Sequence, residues 1–176
     1  MGLVSGLDWA VLIGTITFIV GYGAWKTRGA IDMAAYFRGD YSLLMKDNIP
    51  KASYNVAKIF NGLSGKWISI TGTDGDVSGV ASWDEAGGRL AIVLVNFRDR
   101  YALRRPVRVQ VDDLPAALRA GIWQEWIIDA THSNVWHDQG KAELATTQAG
   151  KVSGDNFAWE KILEANSVTL IEVNRP

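Results

Sequence analysis

The sequence predicts an all-β antiparallel sandwich preceded by one amphipathic helix and, N-terminal to that, a single transmembrane helix. Three observations carry the prediction. An uncharged apolar run extends from Trp9 to Trp25 (WAVLIGTITFIVGYGAW). A 3.6-residue apolar period follows between Ser53 and Leu63. Beyond it the period falls to two, in short segments separated by turn signals. These divide the chain into residues 1–43 (membrane helix and loop), 44–65 (amphipathic helix) and 66–176 (sandwich).

The run from Trp9 to Trp25 has 17 residues. At about 1.5 Å each they cover roughly 26 Å, close to the lower limit for a hydrocarbon core of about 30 Å. Trp9, Tyr22 and Trp25 stand near its ends, where amphipathic rings favour the interface. Two other readings compete. A secretory signal needs a basic segment ahead of the apolar stretch, and residues 1–8 hold Asp8 but no Lys or Arg. A short apolar run also suits a buried core helix. Lys26, Arg28, Arg38 and Lys46 all follow the run. The positive-inside bias therefore predicts a single-pass protein with its N-terminus outside and the rest cytoplasmic, its partner the lipid bilayer through residues 9–25.

In the amphipathic segment Val56, Ile59, Phe60 and Leu63 recur at i, i+3, i+4 and i+7. Ser53 is the expected N-cap, and Gly65 marks the stop. Val107, Val109 and Val111 alternate with Arg108, Gln110 and Asp112, the pattern of a half-buried strand. Leu90 to Val95 (LAIVLV) is apolar throughout, as a central strand covered on both faces would be, and Gly87-Gly88 before it signals a hairpin. Further strands are expected at Trp67–Thr71, Gly79–Trp83, Ile122–Asp129 and Val168–Val173. Residues 139–155 are small and polar and read as a long surface loop.

The net charge is −1, and basic residues are scattered apart from Arg104-Arg105, so nucleic-acid binding is not expected. The absence of cysteine removes disulfides, thiolate nucleophiles and cysteine metal sites. Asp129, His132, Ser133, Asn134, His137 and Asp138 form the one dense polar cluster in the sequence. Asp, Ser and Asn side chains organise turns through their own backbone, which favours a structural loop over a metal site or a triad fragment. Asp74-Gly75-Asp76 reads as a turn, since the glutamate that closes a calcium loop is missing. No metal and no cofactor is expected. Eight tryptophans invite a sugar-stacking reading at Trp83 and Trp136. Large aromatics in a sandwich more often pack, and Trp123 and Trp126 must point to opposite faces of one strand.

Two resemblances add to these readings. LDWAVLIGTITFIVGYGAWKTRG followed by AAYFRGDYSL, residues 7–43, resembles the first helix and loop of sodium:solute symporters, departing at Arg38-Gly39-Asp40. The later symporter helices, which build the transport site, have no counterpart here. Residues 42–176 resemble glycoside hydrolase family 39 and related xylosidases. The carrying motifs are a Pro-Lys-x-x-Tyr turn at Pro50, Lys51 and Tyr54, the Asn96-Phe97 pair, and Ile128-Asp129 followed by His132-Ser133-Asn134. This second resemblance implies the last helix of a catalytic barrel followed by a C-terminal β-sandwich, with Asp129, His132, Ser133 and Asn134 in a structural loop that docks on the barrel. It implies two catalytic glutamates on the barrel, the first after an asparagine. None of the glutamates at 85, 125, 143, 160, 164 and 172 follows an asparagine, and a barrel needs about 250 residues. No catalytic residue is therefore assigned. The expected function is a non-catalytic accessory sandwich of a xylosidase-like hydrolase, fused to a symporter-like helix in a truncated or chimeric product, with a carbohydrate or a glycosidase barrel as partner. The alternatives are a membrane-tethered carbohydrate-binding module and a symporter fragment.

Overall fold

A computed structural model describes residues 43–72, 75–98 and 103–176. Residues 43–176 form one compact unit. Helix α1 (Ala52–Asn61) comes first, followed by strands β1 (Lys66–Ile68), β2 (Val77–Asp84), β3 (Arg89–Asn96), β4 (Arg105–Val111), β5 (Ile122–Ile128), β6 (Thr146–Lys151), β7 (Phe157–Leu163) and β8 (Ser167–Asn174). Six strands make a sheet in the order β1-β2-β3-β8-β5-β6, and β4 pairs with β7 in a second, two-stranded sheet. Every pairing is antiparallel.

Period-two sequence explains the layers. On β3, Leu90, Ile92 and Leu94 enter the core between the sheets, where they join Val77, Phe157, Trp159 and Val173. Ala91 and Val93 face the other way and pack with Ile59 of α1, Ile128 and Leu170. The continuous apolar run of β3 thus reflects burial on both faces, one under the small sheet and one under the helix. β4 behaves as its alternation predicts: Val107, Val109 and Val111 are half-buried against the inter-sheet core, and the residues between them are exposed. Pro106 is accommodated because β4 has one strand neighbour among the described residues. The β2–β3 hairpin turns through Gly88 at φ 63°, which glycine adopts without strain. Gly65, at φ 82°, leads from α1 into β1 so close to β2 that a Cβ there would stand 2.0 Å from the Trp83 carbonyl oxygen.

The expected fold class needs one correction. Among the described residues no helix is long and apolar enough to cross a membrane. The 10 residues of α1 rise about 15 Å, half of a hydrocarbon core. The run 9–25 lies outside the described residues, and its roughly 26 Å was already marginal for a span. Among the described residues the architecture is an antiparallel β-sandwich with one α-helix, and the single-pass placement with the N-terminus outside does not stand.

Smaller departures have local causes. Helix α1 begins at Ala52 rather than after Ser53. Lys51, still extended after Pro50, is the N-cap; its carbonyl accepts from the Asn55 amide, and no side chain caps the first turn. The loop expected over 139–155 contains β6. As an edge strand exposed at nearly every position, β6 needs no apolar alternation and shows none. β7 went unrecognised although Phe157, Trp159 and Leu163 are buried on one face, because Lys161 breaks the inward series.

Candidate functional site

The loop after β5 is built around one carboxylate. Asp129 is 6% exposed, and its Oδ1 accepts from the Thr131 amide (2.7 Å), the Thr131 hydroxyl (3.1 Å) and the His132 amide (2.8 Å). The His132 ring nitrogen Nδ1 lies 2.9 Å from Oδ1 and 3.0 Å from Oδ2. Burial alone would raise the Asp129 carboxyl. The Thr131 amide, the His132 ring and the His132 amide outweigh it, and the net effect holds Asp129 below its usual value. An ionised carboxylate only accepts, so Nδ1 is the donor in this contact. The His132 side chain is 49% exposed.

The remaining cluster residues hold the same turn. The Asn134 amide group donates to the Asp129 carbonyl (3.2 Å), and its Oδ1 accepts from the Trp136 amide (3.1 Å). Ser133 is buried at φ 51°. Its carbonyl accepts from Asn55 Nδ2 of helix α1 (3.0 Å), which also donates to the Ala142 carbonyl (2.7 Å). Asn55 is fully buried, so one helical side chain clasps both ends of the loop. The loop presents Trp136, which is 70% exposed.

The structure thus brings Asp129, His132 and Asn134 into one hydrogen-bonded turn, with Ser133 at its centre. It separates the two tryptophans singled out for sugar stacking. Trp83 packs against the inter-sheet core from β2, whereas Trp136 stands on the loop that follows β5. Trp123 joins the inter-sheet cluster and Trp126 the helix-side cluster, as alternation requires. Another large ring, Trp67 on edge strand β1, is 67% exposed. Among the described residues no group of three or more His, Asp or Glu side chains is placed to hold a metal ion. Asp74 lies outside them, and Asp76 is engaged by Arg98 (3.1 Å) and Arg105.

Sequence reasoning missed Glu125. It is fully buried on the inward face of β5, opposite Ile171 of β8. Its carboxylate accepts from Lys161 Nζ (2.6 Å), Thr147 Oγ1 (2.7 Å) and Trp159 Nε1 (2.9 Å), tying the large sheet to β7 of the small one. The available signal was a charge at an inward position of two strands, Glu125 and Lys161. Their pairing lies 36 residues apart in sequence.

No protein-family model and no curated protein matches this chain. Solved structures do. A glucosidase from Croceicoccus marinus matches with a TM-score of 0.60 at 14% identity, over 76% of this chain and 33% of its own. N2152 from Neocallimastix frontalis matches with a TM-score of 0.56 at 16% identity, over the same shares. An arabinose-bound GH51 α-L-arabinofuranosidase, MgGH51, matches with a TM-score of 0.53 at 16% identity, over 79% of this chain and 22% of its own. The chain therefore spans a third or less of the length of these proteins. None of the matches supports the symporter resemblance of residues 7–43. At such identities the likeness establishes the fold: a β-sandwich of the kind found within glycoside hydrolase structures.

Proposed function

We propose that residues 43–176 serve as a non-catalytic accessory sandwich of a glycoside hydrolase of the xylosidase type, seated against a catalytic module through the loop of Asp129, His132, Ser133 and Asn134. The fold likeness to glycosidase structures of which this chain spans a third or less is the observation that carries the reading. The disposition of the carboxylates supports it. Glu125 is held by Lys161, Trp159 and Thr147, Asp129 organises its own turn, and Asp76 is engaged by two arginines. Side chains so engaged stabilise structure and are poorly placed to attack a sugar. A hydrogen-bonded loop that exposes a tryptophan and half-exposes a histidine has the character of an interface anchor.

The test uses the purified chain. It is expected to leave an aryl β-xyloside intact and to bind a xylosidase barrel that lacks its own sandwich, more weakly after Trp136→Ala or His132→Ala. Hydrolysis abolished by changing one of the chain's own glutamates to glutamine would refute the non-catalytic assignment. Undiminished barrel binding by both variants would refute the loop's role. The exposure of Trp136 also favours a second reading, glycan binding by stacking, for which a glycan array is the direct measurement.

A further inference from the structure

Helix α1 starts without an acceptor. Lys51 is its N-cap and Tyr54 stands three residues on, the two positions at which a capping box places a serine or threonine and a glutamate. Lysine has no acceptor atom, and neither side chain makes a capping bond. No acidic residue stands in the first turn either. The Asn55 amide is the first to find a partner along the helix, the Lys51 carbonyl at 3.1 Å. The amides of Ala52, Ser53 and Tyr54 come before it, and among the described residues none of them meets an acceptor.

Lys51 itself is the second observation. The residue is 7% exposed, yet among the described residues its ammonium has neither an ion-pair nor a hydrogen-bond partner. Asp47 is exposed on the turn closed by the Leu44–Pro50 bridge and is not paired with it. The N-cap is the position from which a short polar side chain bends back to the first-turn amides, so the Lys51 stem sets out over the same three N–H groups. A cation of little exposure and the positive end of a helix dipole thus share one place with no negative charge between them. An anion there relieves both. Ser53 is exposed, and Ala52 and Tyr54 are half-buried, so the turn is open to solvent from its outer side.

We infer that the N-terminus of α1 binds a phosphate group, free or carried on a sugar, between the amides of Ala52, Ser53 and Tyr54 and the Lys51 ammonium. Three amides at a helix end and one ammonium address several oxygens of a tetrahedral anion, whereas a carboxylate offers only two. The inference is independent of the glycosidase reading, since it rests on the uncapped turn and the unpaired lysine alone.

The test uses the full chain, isotope-labelled and titrated with inorganic phosphate, glucose 6-phosphate and acetate at fixed ionic strength, so that screening is constant. Amide NMR spectra are expected to show saturable shifts of Ala52, Ser53 and Tyr54 with phosphate, little change in β4, and weaker binding of acetate. Tighter binding of the sugar phosphate than of inorganic phosphate assigns the site to phosphorylated sugars; the reverse order assigns it to free phosphate. Phosphate should also raise the melting midpoint as its concentration rises, since it binds the folded state. Lys51→Met keeps the apolar stem and should weaken binding about tenfold. Ser53→Asp supplies a carboxylate at an exposed position of the first turn; it should raise the midpoint in phosphate-free buffer and remove the response to phosphate. That variant is decisive even where Lys51→Met does not fold. Absent saturation, shifts centred outside residues 52–54, equal binding of acetate, full affinity in folded Lys51→Met, or an unaltered response in Ser53→Asp would each overturn the inference.

Discussion

The pair formed by Glu125 and Lys161 offers the sharpest test of how the sandwich is held together. Lys161→Met removes the cation 2.6 Å from a carboxylate with no solvent exposure. Breaking a buried pair from one side costs about 3–5 kcal/mol. Trp159 and Thr147 still donate to the carboxylate, which places the expected loss at the lower end, about 3 kcal/mol. Glu125→Leu should cost less. The Lys161 side chain is 33% exposed and its ammonium can turn to water, so the main stranded group is the buried indole N–H of Trp159. One unsatisfied buried donor costs about 1–3 kcal/mol, and about 2 is expected here. The double variant Glu125→Leu/Lys161→Met buries neither charge but still strands the Trp159 indole N–H, so it should lose about 2 kcal/mol, as Glu125→Leu does, well short of the sum of about 5 for the two single variants. Urea denaturation of all four proteins, with m-values compared, gives the cycle directly. On thermal melting, Lys161→Met should lower the midpoint by about 6–12 °C, at roughly 2–4 °C per kcal/mol for a chain of this size. If each single variant loses under about 0.5 kcal/mol, or the double variant loses the sum of the two, Glu125 and Lys161 are not energetically coupled.

Two further outcomes follow from the loop. Asp129 is held below its ordinary carboxyl value of 3.8, so its stabilising contribution is present above that value and is lost as pH falls through the lower, folded value. Asp129→Asn should therefore destabilise the protein at neutral pH and flatten the acid limb of a stability–pH profile. An unchanged acid limb would contradict the assignment. Asn55→Ala removes two donors at once and leaves the carbonyls of Ser133 and Ala142 without them; a loss of about 2–4 kcal/mol is expected in denaturant melts, together with faster amide exchange across residues 129–142. A loss below about 0.5 kcal/mol would show that Asn55 does not secure the loop.

What the sequence determined by itself is what depends on neighbours along the chain. Alternation placed the valines of β4 inward, and an unbroken apolar run marked β3 as covered on both faces. Asp129, His132 and Asn134 were legible as a turn because their partners lie within five residues. Edge strand β6 was not legible, since a strand exposed at nearly every position carries no pattern to read. Only the tertiary structure decided that Glu125 meets Lys161, that Asn55 reaches across 78 and 87 residues to clasp the loop, and that Trp83 and Trp136 serve different surfaces. Periodicity fixes which way a side chain faces relative to its own backbone. Which distant strand lies opposite is set by sheet order, and sheet order is a property of the whole fold.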